Sequence, residues 1–283
     1  MGRRRVRQGK HETFVVTIGS HSVRVSDEGA GQPLLMLNGL GASLEVLAPL
    51  RNTLADFRTI AFDPPGVGGS SELAWPLRLP AHADVAMALL DQLGVEQVDL
   101  FGVSWGGALA QEIAYRYPDR VRSLILCSTT PGPALLATID VYLAFFDTRR
   151  RTSAHYVEHV APTLFGGRVR EEARALLDNG IFRHLARKDS RSYLYQMAAA
   201  AGWSSLRYLC RLRQRTLIVT GDDDPLVRPY NSRLLAALIP NSRLEIVAGD
   251  GHFLIVTSAA ELAALVRDFV AEGAIDPAHR DAA

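Results

Sequence analysis

Short runs of Val, Ile and Leu alternate along the chain with stretches in which apolar residues recur at helical spacing. Eight runs have the length and composition of strands: Phe14–Ile18, His21–Val25, Pro33–Leu37, Thr59–Phe62, Val98–Phe101, Val121–Cys127, Thr216–Thr220 and Leu244–Val247. Five stretches have the spacing of helices: Leu44–Leu54, Ala81–Leu93, Trp105–Tyr117, Asn231–Leu238 and Ala259–Val270. The first two strands precede every helix, and we expect them to pair as an antiparallel hairpin. Because later strands alternate with helices, we predict an α/β fold with a mostly parallel eight-stranded sheet and helices on both faces.

This alternation stops between Pro131 and Gln214, where Leu, Ala, Tyr and Arg recur at helical spacing without a strand pattern. We predict that residues 131–212, called the insertion below, form a helical cap. The core then consists of residues 13–130 and 213–271. Residues 1–12 are predicted to be a disordered basic tail, and residues 272–283 a C-terminal tail.

Composition narrows the class of protein. A chain of 283 residues with 48% hydrophobic and 22% charged residues fits a globular domain with a large core. The net charge of +1 includes five basic residues among the first ten, so the rest is slightly acidic and nucleic acid is not an expected partner. No signal-peptide or transmembrane pattern is present, so we expect a cytoplasmic protein. Two cysteines, Cys127 and Cys210, are expected to be reduced, buried thiols.

A glycine-flanked serine follows one of the apolar strands. The segment reads Gly102-Val103-Ser104-Trp105-Gly106 and precedes a helix that begins with small residues. This G-x-S-x-G spacing between strand and helix is typical of a nucleophile elbow. The serine needs a tight, strained turn, and the flanking glycines let strand and helix approach closely. We therefore predict Ser104 as a catalytic nucleophile.

A serine hydroxyl needs a nearby histidine to remove its proton. Of the eight histidines, His252 is favoured because it follows the late strand Leu244–Val247 and the loop Gly249-Asp250-Gly251, where the chain order of such hydrolases places the base. The other seven lie before the elbow, within the insertion or in the tail: His11, His21, His82, His155, His159, His184 and His279.

The third member of a triad is an acid between the serine and the histidine, after a strand. Gly221-Asp222-Asp223-Asp224-Pro225 offers three carboxylates. We choose Asp224, at the bend of the loop before Pro225. Asp222 and Asp223 remain alternatives, although aspartates in turns also accept hydrogen bonds from local backbone N–H groups.

Acyl transfer also needs hydrogen-bond donors for the developing oxyanion. We predict the backbone N–H groups of Trp105 and of Leu40, the latter in the turn Asn38-Gly39-Leu40-Gly41. The glycine-rich segment from Asp63 to Ser70 fits no phosphate-binding spacing and is interpreted as a structural loop. No metal site is predicted, because His155 and His159 lack an H-E-x-x-H arrangement.

With these residues identified, the sequence resembles the intracellular polyhydroxyalkanoate depolymerases, a branch of the α/β-hydrolases that degrades storage polyester. The resemblance runs from about Gly31 to Val270. In the core it rests on LNGLGASLE from Leu37, FDPPGVGGSS from Phe62, GVSWGGALAQ from Gly102 and GDDDPLV from Gly221. In the insertion it rests on APTLFGG from Ala161 and AGWSSLRYL from Ala201.

The resemblance implies a triad of Ser104, Asp224 and His252 that hydrolyses polyester through an acyl-enzyme, without a cofactor. It implies a polyester substrate and the granule surface as a partner. Aromatic residues of the insertion are candidates to line a substrate channel: Tyr142, Phe145, Phe146, Tyr193, Tyr195 and Trp203. Fold and triad alone do not fix the substrate. A hydrolase of small esters or a related capped hydrolase, and a non-catalytic granule-binding protein, therefore remain as alternatives.

Overall fold

The structure, a computed structural model, describes residues 4–8, 11–132, 138–147, 149, 153–185 and 190–275. Among these residues, nine strands form one sheet. The strands are β1 Arg4–Gln8, β2 His11–Ile18, β3 His21–Glu28, β4 Pro33–Leu37, β5 Arg58–Phe62, β6 Val98–Val103, β7 Val121–Cys127, β8 Arg215–Gly221 and β9 Ser242–Val247. Their order across the sheet is β1-β2-β3-β5-β4-β6-β7-β8-β9.

Most of the sheet is parallel, as predicted. Strand β4 pairs in parallel with β5 and β6, and the parallel pairing continues through β7 and β8 to β9. The first two predicted strands form the expected antiparallel hairpin, β2 with β3. All eight predicted strands are present, and β1 is a ninth.

The disorder predicted for the start of the chain is wrong for the residues that the structure describes. Arg4–Gln8 pairs antiparallel with β2, from Arg4 opposite Val15 to Gln8 opposite His11. Pairing satisfies the backbone groups of both segments, and an edge strand can carry charged side chains because one of its sides faces no further strand. Apolar alternation was therefore not needed for this strand to form.

Ten helices occur among the described residues. They are α1 Ala48–Thr53, α2 Leu79–Gln92, α3 Trp105–Arg116, α4 Ile139–Phe146, α5 Ala154–Phe165, α6 Val169–Asp178, α7 Ser190–Ala201, α8 Pro229–Leu238, α9 Leu254–Thr257 and α10 Ala259–Ile275. Helices α2 and α8 begin two residues earlier than predicted, because proline fits the first turn of a helix. Helix α10 extends past position 271 into the predicted tail, and residues 276–283 lie outside the described residues.

Both faces of the sheet are covered, as predicted. One apolar cluster joins Leu35 and Leu100 of the sheet to Leu109 of α3, and the other joins Leu34 and Phe101 to helices on the opposite side. Within its described part, the insertion contains α4 to α7 and no strand. Its division from the core as a cap domain stays a prediction.

The two cysteines differ in their exposure to solvent. Cys127 is a buried free thiol, whereas Cys210 is exposed, contrary to prediction. Cys210 lies in the short 3-10 turn Leu209–Arg211, in which Leu209 takes the inward position. In the part of the chain that the structure describes, no helix is long and apolar enough to cross a membrane.

Candidate active site

Ser104 lies on a sharp turn between β6 and α3. Its backbone angles, φ 55° and ψ −117°, place a non-glycine residue in a sparsely populated region, which costs about 1–3 kcal/mol. A Cβ atom on Gly102 would lie 2.4 Å from the carbonyl oxygen of Gly106, and one on Gly106 would lie 2.2 Å from the carbonyl oxygen of Leu37. Both glycines are therefore required by the close approach of strand, turn and helix.

The structure brings together the three residues predicted as a triad. His252 Nε2 lies 3.1 Å from Ser104 Oγ, and His252 Nδ1 lies 2.8 Å from Asp224 Oδ2. Both His252 and Asp224 are buried, whereas Ser104 is half-buried. The serine follows β6, the aspartate follows β8 and the histidine follows β9, so their side chains meet at the carboxyl edge of the sheet.

Only one of the three consecutive aspartates contacts the histidine. Asp224 Oδ1 accepts hydrogen bonds from the backbone N–H groups of Leu226 at 2.9 Å and Val227 at 2.8 Å, which fixes the carboxylate. Asp222 instead accepts from the N–H of Gly249 at 2.7 Å. Asp223 accepts from the N–H of Gly167 at 3.0 Å and pairs with Arg170, so it joins this loop to the insertion.

The loop that carries His252 is held by a buried carboxylate that the sequence reasoning did not single out. Asp250 accepts hydrogen bonds from the backbone N–H of Gly251 at 2.7 Å, from Thr257 Oγ1 at 2.8 Å and from Ser258 Oγ. Its position two residues before the histidine, with hydroxyl residues seven and eight positions later, is the signal that was available. Asp250 therefore fixes the loop through one backbone N–H group and two hydroxyl groups.

The insertion reaches the site through the end of APTLFGG. The carbonyl oxygen of Phe165 accepts the backbone N–H of His252 at 2.7 Å, and the two rings are nearly parallel with centroids 6.4 Å apart. Gly166 and Gly167 both have positive φ. A Cβ atom on Gly166 would lie 2.2 Å from the carbonyl oxygen of Asp223, and one on Gly167 would lie 2.2 Å from the nitrogen of Gly251. These glycines allow the insertion to pack on the loops that carry Asp224 and His252.

The turn predicted to complete an oxyanion site lies beside the serine. A Cβ atom on Gly39 would lie 3.7 Å from the Cβ of Ser104. Among the described residues, the backbone N–H groups of Leu40 and Trp105 donate no hydrogen bond to the protein. Asn38 shapes the turn, because its side chain donates to the carbonyl oxygen of Ser43 at 2.7 Å and accepts from the N–H of Gly39 at 2.9 Å. Two backbone donors are thus available near Ser104, the predicted nucleophile.

The glycine-rich segment from Asp63 to Ser70 is a structural loop, as interpreted. Buried Asp63 accepts from the N–H of Leu44 at 2.9 Å and of Gly69 at 2.8 Å, and pairs with Arg24 at 3.2 Å. Burial raises the pKa of the Asp63 carboxyl. At Glu45, burial acts in the same direction, but hydrogen bonds from Arg24 and Ser43 outweigh it and lower the pKa to about 2. This network ties the loop to the segment after β4.

Other reactive groups near the site have different roles. Cys127 is the last residue of the neighbouring strand β7, and burial raises the pKa of its thiol, so this thiol stays protonated and is not a competing nucleophile. Among the described residues, no cluster of three His, Cys, Asp or Glu side chains is arranged to hold a metal ion.

The aromatic residues proposed for a channel are dispersed. Tyr193 packs against the turn at Gly41, where a Cβ atom would lie 2.7 Å from its ring. Trp203 is buried and donates its indole N–H to Glu112 at 2.9 Å, and Phe146 is exposed. Tyr195 contacts the carbonyl oxygen of Ala74 through its hydroxyl group, at 3.4 Å. The side chains of Tyr142 and Phe145 lie outside the described residues.

Comparison with known proteins supports the same fold and relates the chain to several hydrolases. The family model of the alpha/beta hydrolase fold matches residues 32–259. A poly(3-hydroxyalkanoate) depolymerase from Ectopseudomonas oleovorans is 39% identical over 240 residues, which cover 84% of each chain. A 2-hydroxymuconate semialdehyde hydrolase from Pseudomonas sp. (strain CF600) is 28% identical over 87% of this chain and 89% of its own. A pimeloyl-[acyl-carrier protein] methyl ester esterase from Neisseria meningitidis is 30% identical over 89% of this chain and 81% of its own.

Solved structures agree at the level of the fold. A meta-cleavage product hydrolase from Pseudomonas fluorescens IP01 superposes with a TM-score of 0.79 at 21% identity, covering 91% of this chain and 97% of that one. An enol-lactonase from Burkholderia xenovorans LB400 gives a TM-score of 0.78 at 21% identity, covering 91% and 99%. The chain therefore belongs to the α/β-hydrolase superfamily, within the group that includes the poly(3-hydroxyalkanoate) depolymerase of Ectopseudomonas oleovorans.

Proposed function

We propose that the protein is a serine ester hydrolase. The observation that carries this proposal is the continuous row of hydrogen bonds from Ser104 through His252 to Asp224. His252 Nε2 takes the proton of Ser104 Oγ as this oxygen attacks the ester carbonyl carbon. Asp224 accepts the hydrogen bond from Nδ1–H, which holds the neutral imidazole in the reactive tautomer and stabilises the imidazolium that forms.

The remaining steps use His252 again, together with two backbone donors. The N–H groups of Leu40 and Trp105 are proposed to bind the oxyanion, and each such donor contributes about 3 kcal/mol to the transition state. Protonated His252 gives its proton to the leaving alcohol, which leaves Ser104 acylated. Water then attacks the acyl-enzyme with His252 as base, and a carboxylic acid is released. The steps require no oxidant and no cofactor.

We propose intracellular poly(3-hydroxyalkanoate) as the substrate, with release of 3-hydroxyalkanoic acids or their oligomers. Support comes from the relative named poly(3-hydroxyalkanoate) depolymerase, which is 39% identical to this chain. APTLFGG, one of the two motifs that carried the resemblance in the insertion, also packs on the loops of Asp224 and His252. On this proposal the protein acts in the cytoplasm at the granule surface.

A hydrolase of small esters, or a related enzyme that cleaves carbon–carbon bonds, is the second candidate. The relatives that favour it are the methyl ester esterase and the 2-hydroxymuconate semialdehyde hydrolase. All these enzymes can share a fold and a triad, because the substrate is selected by the surrounding pocket.

Purified protein incubated with amorphous polyhydroxyalkanoate granules tests the proposal. We expect release of 3-hydroxyalkanoic acids, measured by mass spectrometry, and no release by a Ser104→Ala control. Cleavage of soluble esters with intact granules would favour the small-ester hydrolase. Granule binding without turnover of any ester would contradict both enzymatic candidates.

A further inference from the structure

Helix α7 of the insertion presents one buried face to the core. Ser192 and Tyr193 lie four and three residues before Gln196, and Ala199 lies three residues after it, so these buried positions share one side of the helix. A glutamine at the centre of such a face needs hydrogen-bond partners, because a buried polar group without them is unfavourable. Gln196 is only 1% exposed, so its partners lie within the protein.

Those partners are the two segments of the core that flank the predicted oxyanion site. The side-chain Oε1 of Gln196 accepts the backbone N–H of Gly41 at 2.8 Å, and the backbone carbonyl oxygen of Gln196 accepts the indole N–H of Trp105 at 3.1 Å. Both hydrogen bonds are buried. One residue of the insertion thus binds both the turn after β4, 155 positions earlier in the chain, and Trp105, 91 positions earlier and next to Ser104.

The two contacts act directly on the donors that the reaction is proposed to use. Gly41 is bonded to Leu40, so the hydrogen bond to Gln196 fixes the peptide unit next to the Leu40 N–H. Trp105 is proposed to supply its backbone N–H as the second donor, and its side chain is held by the backbone carbonyl oxygen of Gln196. Oxyanion donors are effective only when they are held in place before the charge develops. A displacement of about 1 Å in such a site can lower the rate 100-fold.

We propose that Gln196 is a positioning residue that sets the oxyanion geometry from within the insertion. The inference rests on the proposed serine hydrolase function and extends it, because it links the position of α7 to the rate of acyl transfer. Tyr193 contributes to the same contact, since its ring leaves no room for a side chain at position 41, where φ is +68°. Gln196 itself is not proposed to contact the substrate.

Substitution of two buried glutamines separates positioning from general stabilisation. Gln196→Met keeps the length of the side chain and removes the acceptor for Gly41. Gln214→Met is the matched control: Gln214 is also buried and donates to the carbonyl oxygens of Ala114 at 3.1 Å and Pro118 at 3.3 Å, at the other end of α3. With a soluble p-nitrophenyl ester, we expect kcat to fall about 10- to 100-fold in Gln196→Met with KM within threefold. The control should lower Tm with kcat within twofold of the parent.

A readout specific to the oxyanion site completes the test. A trifluoromethyl ketone analogue of the ester forms a tetrahedral adduct with a serine nucleophile and places an oxyanion at the two donors, whereas the corresponding methyl ester binds in its ground state. We expect Ki for the ketone to rise in Gln196→Met by the same factor by which kcat/KM falls, because both report stabilisation of the oxyanion. Unchanged kcat and Ki, or a raised KM with unchanged kcat, would overturn the proposal.

The bond to Trp105 gives an independent variant if Gln196→Met does not fold. Trp105→Phe removes the indole donor and keeps an aromatic ring and the backbone N–H. We expect a lower kcat with the same rise in Ki for Trp105→Phe alone. Where both single variants fold, the loss in the double variant should be smaller than the product of the two single losses, since both bonds hold one unit. Multiplicative losses or an unchanged Ki would contradict the proposal. If the parent cleaves no ester in a Ser104-dependent manner, the proposed function fails instead, and this outcome is visible before any variant is compared.

Discussion

The backbone N–H of His252 donates a hydrogen bond of 2.7 Å to the carbonyl oxygen of Phe165. The histidine belongs to the loop after β9, whereas the phenylalanine ends α5 of the insertion. The residue proposed as the base is therefore held from two directions, by Asp224 at its ring and by the insertion at its backbone. This arrangement predicts that changes at the end of α5 affect the position of His252 in the proposed triad.

Gly167→Ala tests this relationship, with Gly94→Ala as the matched control. Both positions have positive φ, but a Cβ atom would lie 2.2 Å from the nitrogen of Gly251 at position 167 and would have no atom within 4 Å at position 94. The control should cost about 1–2 kcal/mol in the free energy of unfolding, from backbone strain alone. Gly167→Ala should cost more and should also lower kcat at least about tenfold by moving the His252 loop. Urea unfolding and ester kinetics measure the two effects, and equal behaviour of both variants would contradict the prediction.

Ser104→Ala should fold and lose about a thousandfold or more in ester turnover, because removal of a triad nucleophile usually has this effect. The helix and strand that flank it should remain, since no side-chain hydrogen bond of Ser104 caps α3. Circular dichroism and Tm establish folding, and steady-state kinetics measure turnover. Turnover near that of the parent would show that another residue is the nucleophile.

The three consecutive aspartates should differ sharply in their effect on activity. Asp224→Asn is expected to be nearly inactive, because an amide favours the wrong tautomer of His252. Asp222→Asn should keep most activity, since the Asp222 side chain accepts from the N–H of Gly249, whereas Asp224 is the partner of His252. Asp223→Asn should also keep most activity, with a lower Tm from the weakened contact to Arg170. Measurement of kcat under identical conditions ranks the three variants. An inactive Asp223→Asn with an active Asp224→Asn would show that Asp223, and not Asp224, is the acid.

His82 should make the stability of the protein depend on pH. The ring is buried edge-on against Trp105, with centroids 5.2 Å apart, and neither ring nitrogen has a hydrogen-bond partner among the described residues. Burial, assisted by the nearby His21, lowers the pKa of His82 from 6.5 to about 4. The unfolded chain therefore binds a proton at higher pH than the folded protein does. Stability from this group is present above pH 6.5 and is lost as pH falls towards 4, by about 3 kcal/mol.

His82→Phe removes this titration and keeps an aromatic ring beside Trp105. Relative to the parent, its free energy of unfolding should improve by about 2–3 kcal/mol between pH 7.5 and pH 4.5. Urea titrations at both pH values provide the comparison. A difference between variant and parent that does not change with pH would mean that His82 does not titrate in this window.

Much of the architecture could be predicted from local patterns. The strands from Phe14 to Val247 could be predicted because burial on a sheet selects β-branched and aliphatic runs. The elbow at Ser104 could be predicted because the close approach of the backbone requires its glycines. Strand β1 was missed because an edge strand can form through backbone pairing with charged side chains. The exposure of Cys210 depends on the orientation of a single 3-10 turn, which the spacing of apolar residues does not specify.

Contacts between distant segments were the part that the sequence did not reveal. Asp224 could be chosen by its place in a loop, but the role of Asp250 depends on hydroxyl groups that approach it in three dimensions. Helical spacing does not distinguish Gln196 from other polar residues of a helix, because its hydrogen-bond partners lie 91 and 155 positions away. Periodicity reports which side of a helix is buried and says nothing of the surface that it meets.

The insertion leaves the core after β7 and returns before β8, and this has a consequence for protein engineering. Since Ser104, Asp224 and His252, the proposed triad, all lie outside it, a foreign helical segment could be joined at these two ends without altering the order of these three residues. Such a chimera would nevertheless lack the carbonyl group that holds His252, the glycines packed on two loops and the amide that binds Gly41. To change substrate preference in this group by exchanging the segment, the new segment must therefore carry those contact residues together with the new pocket. The segment can be exchanged in the gene, but in the folded protein it is held to the core by specific contacts.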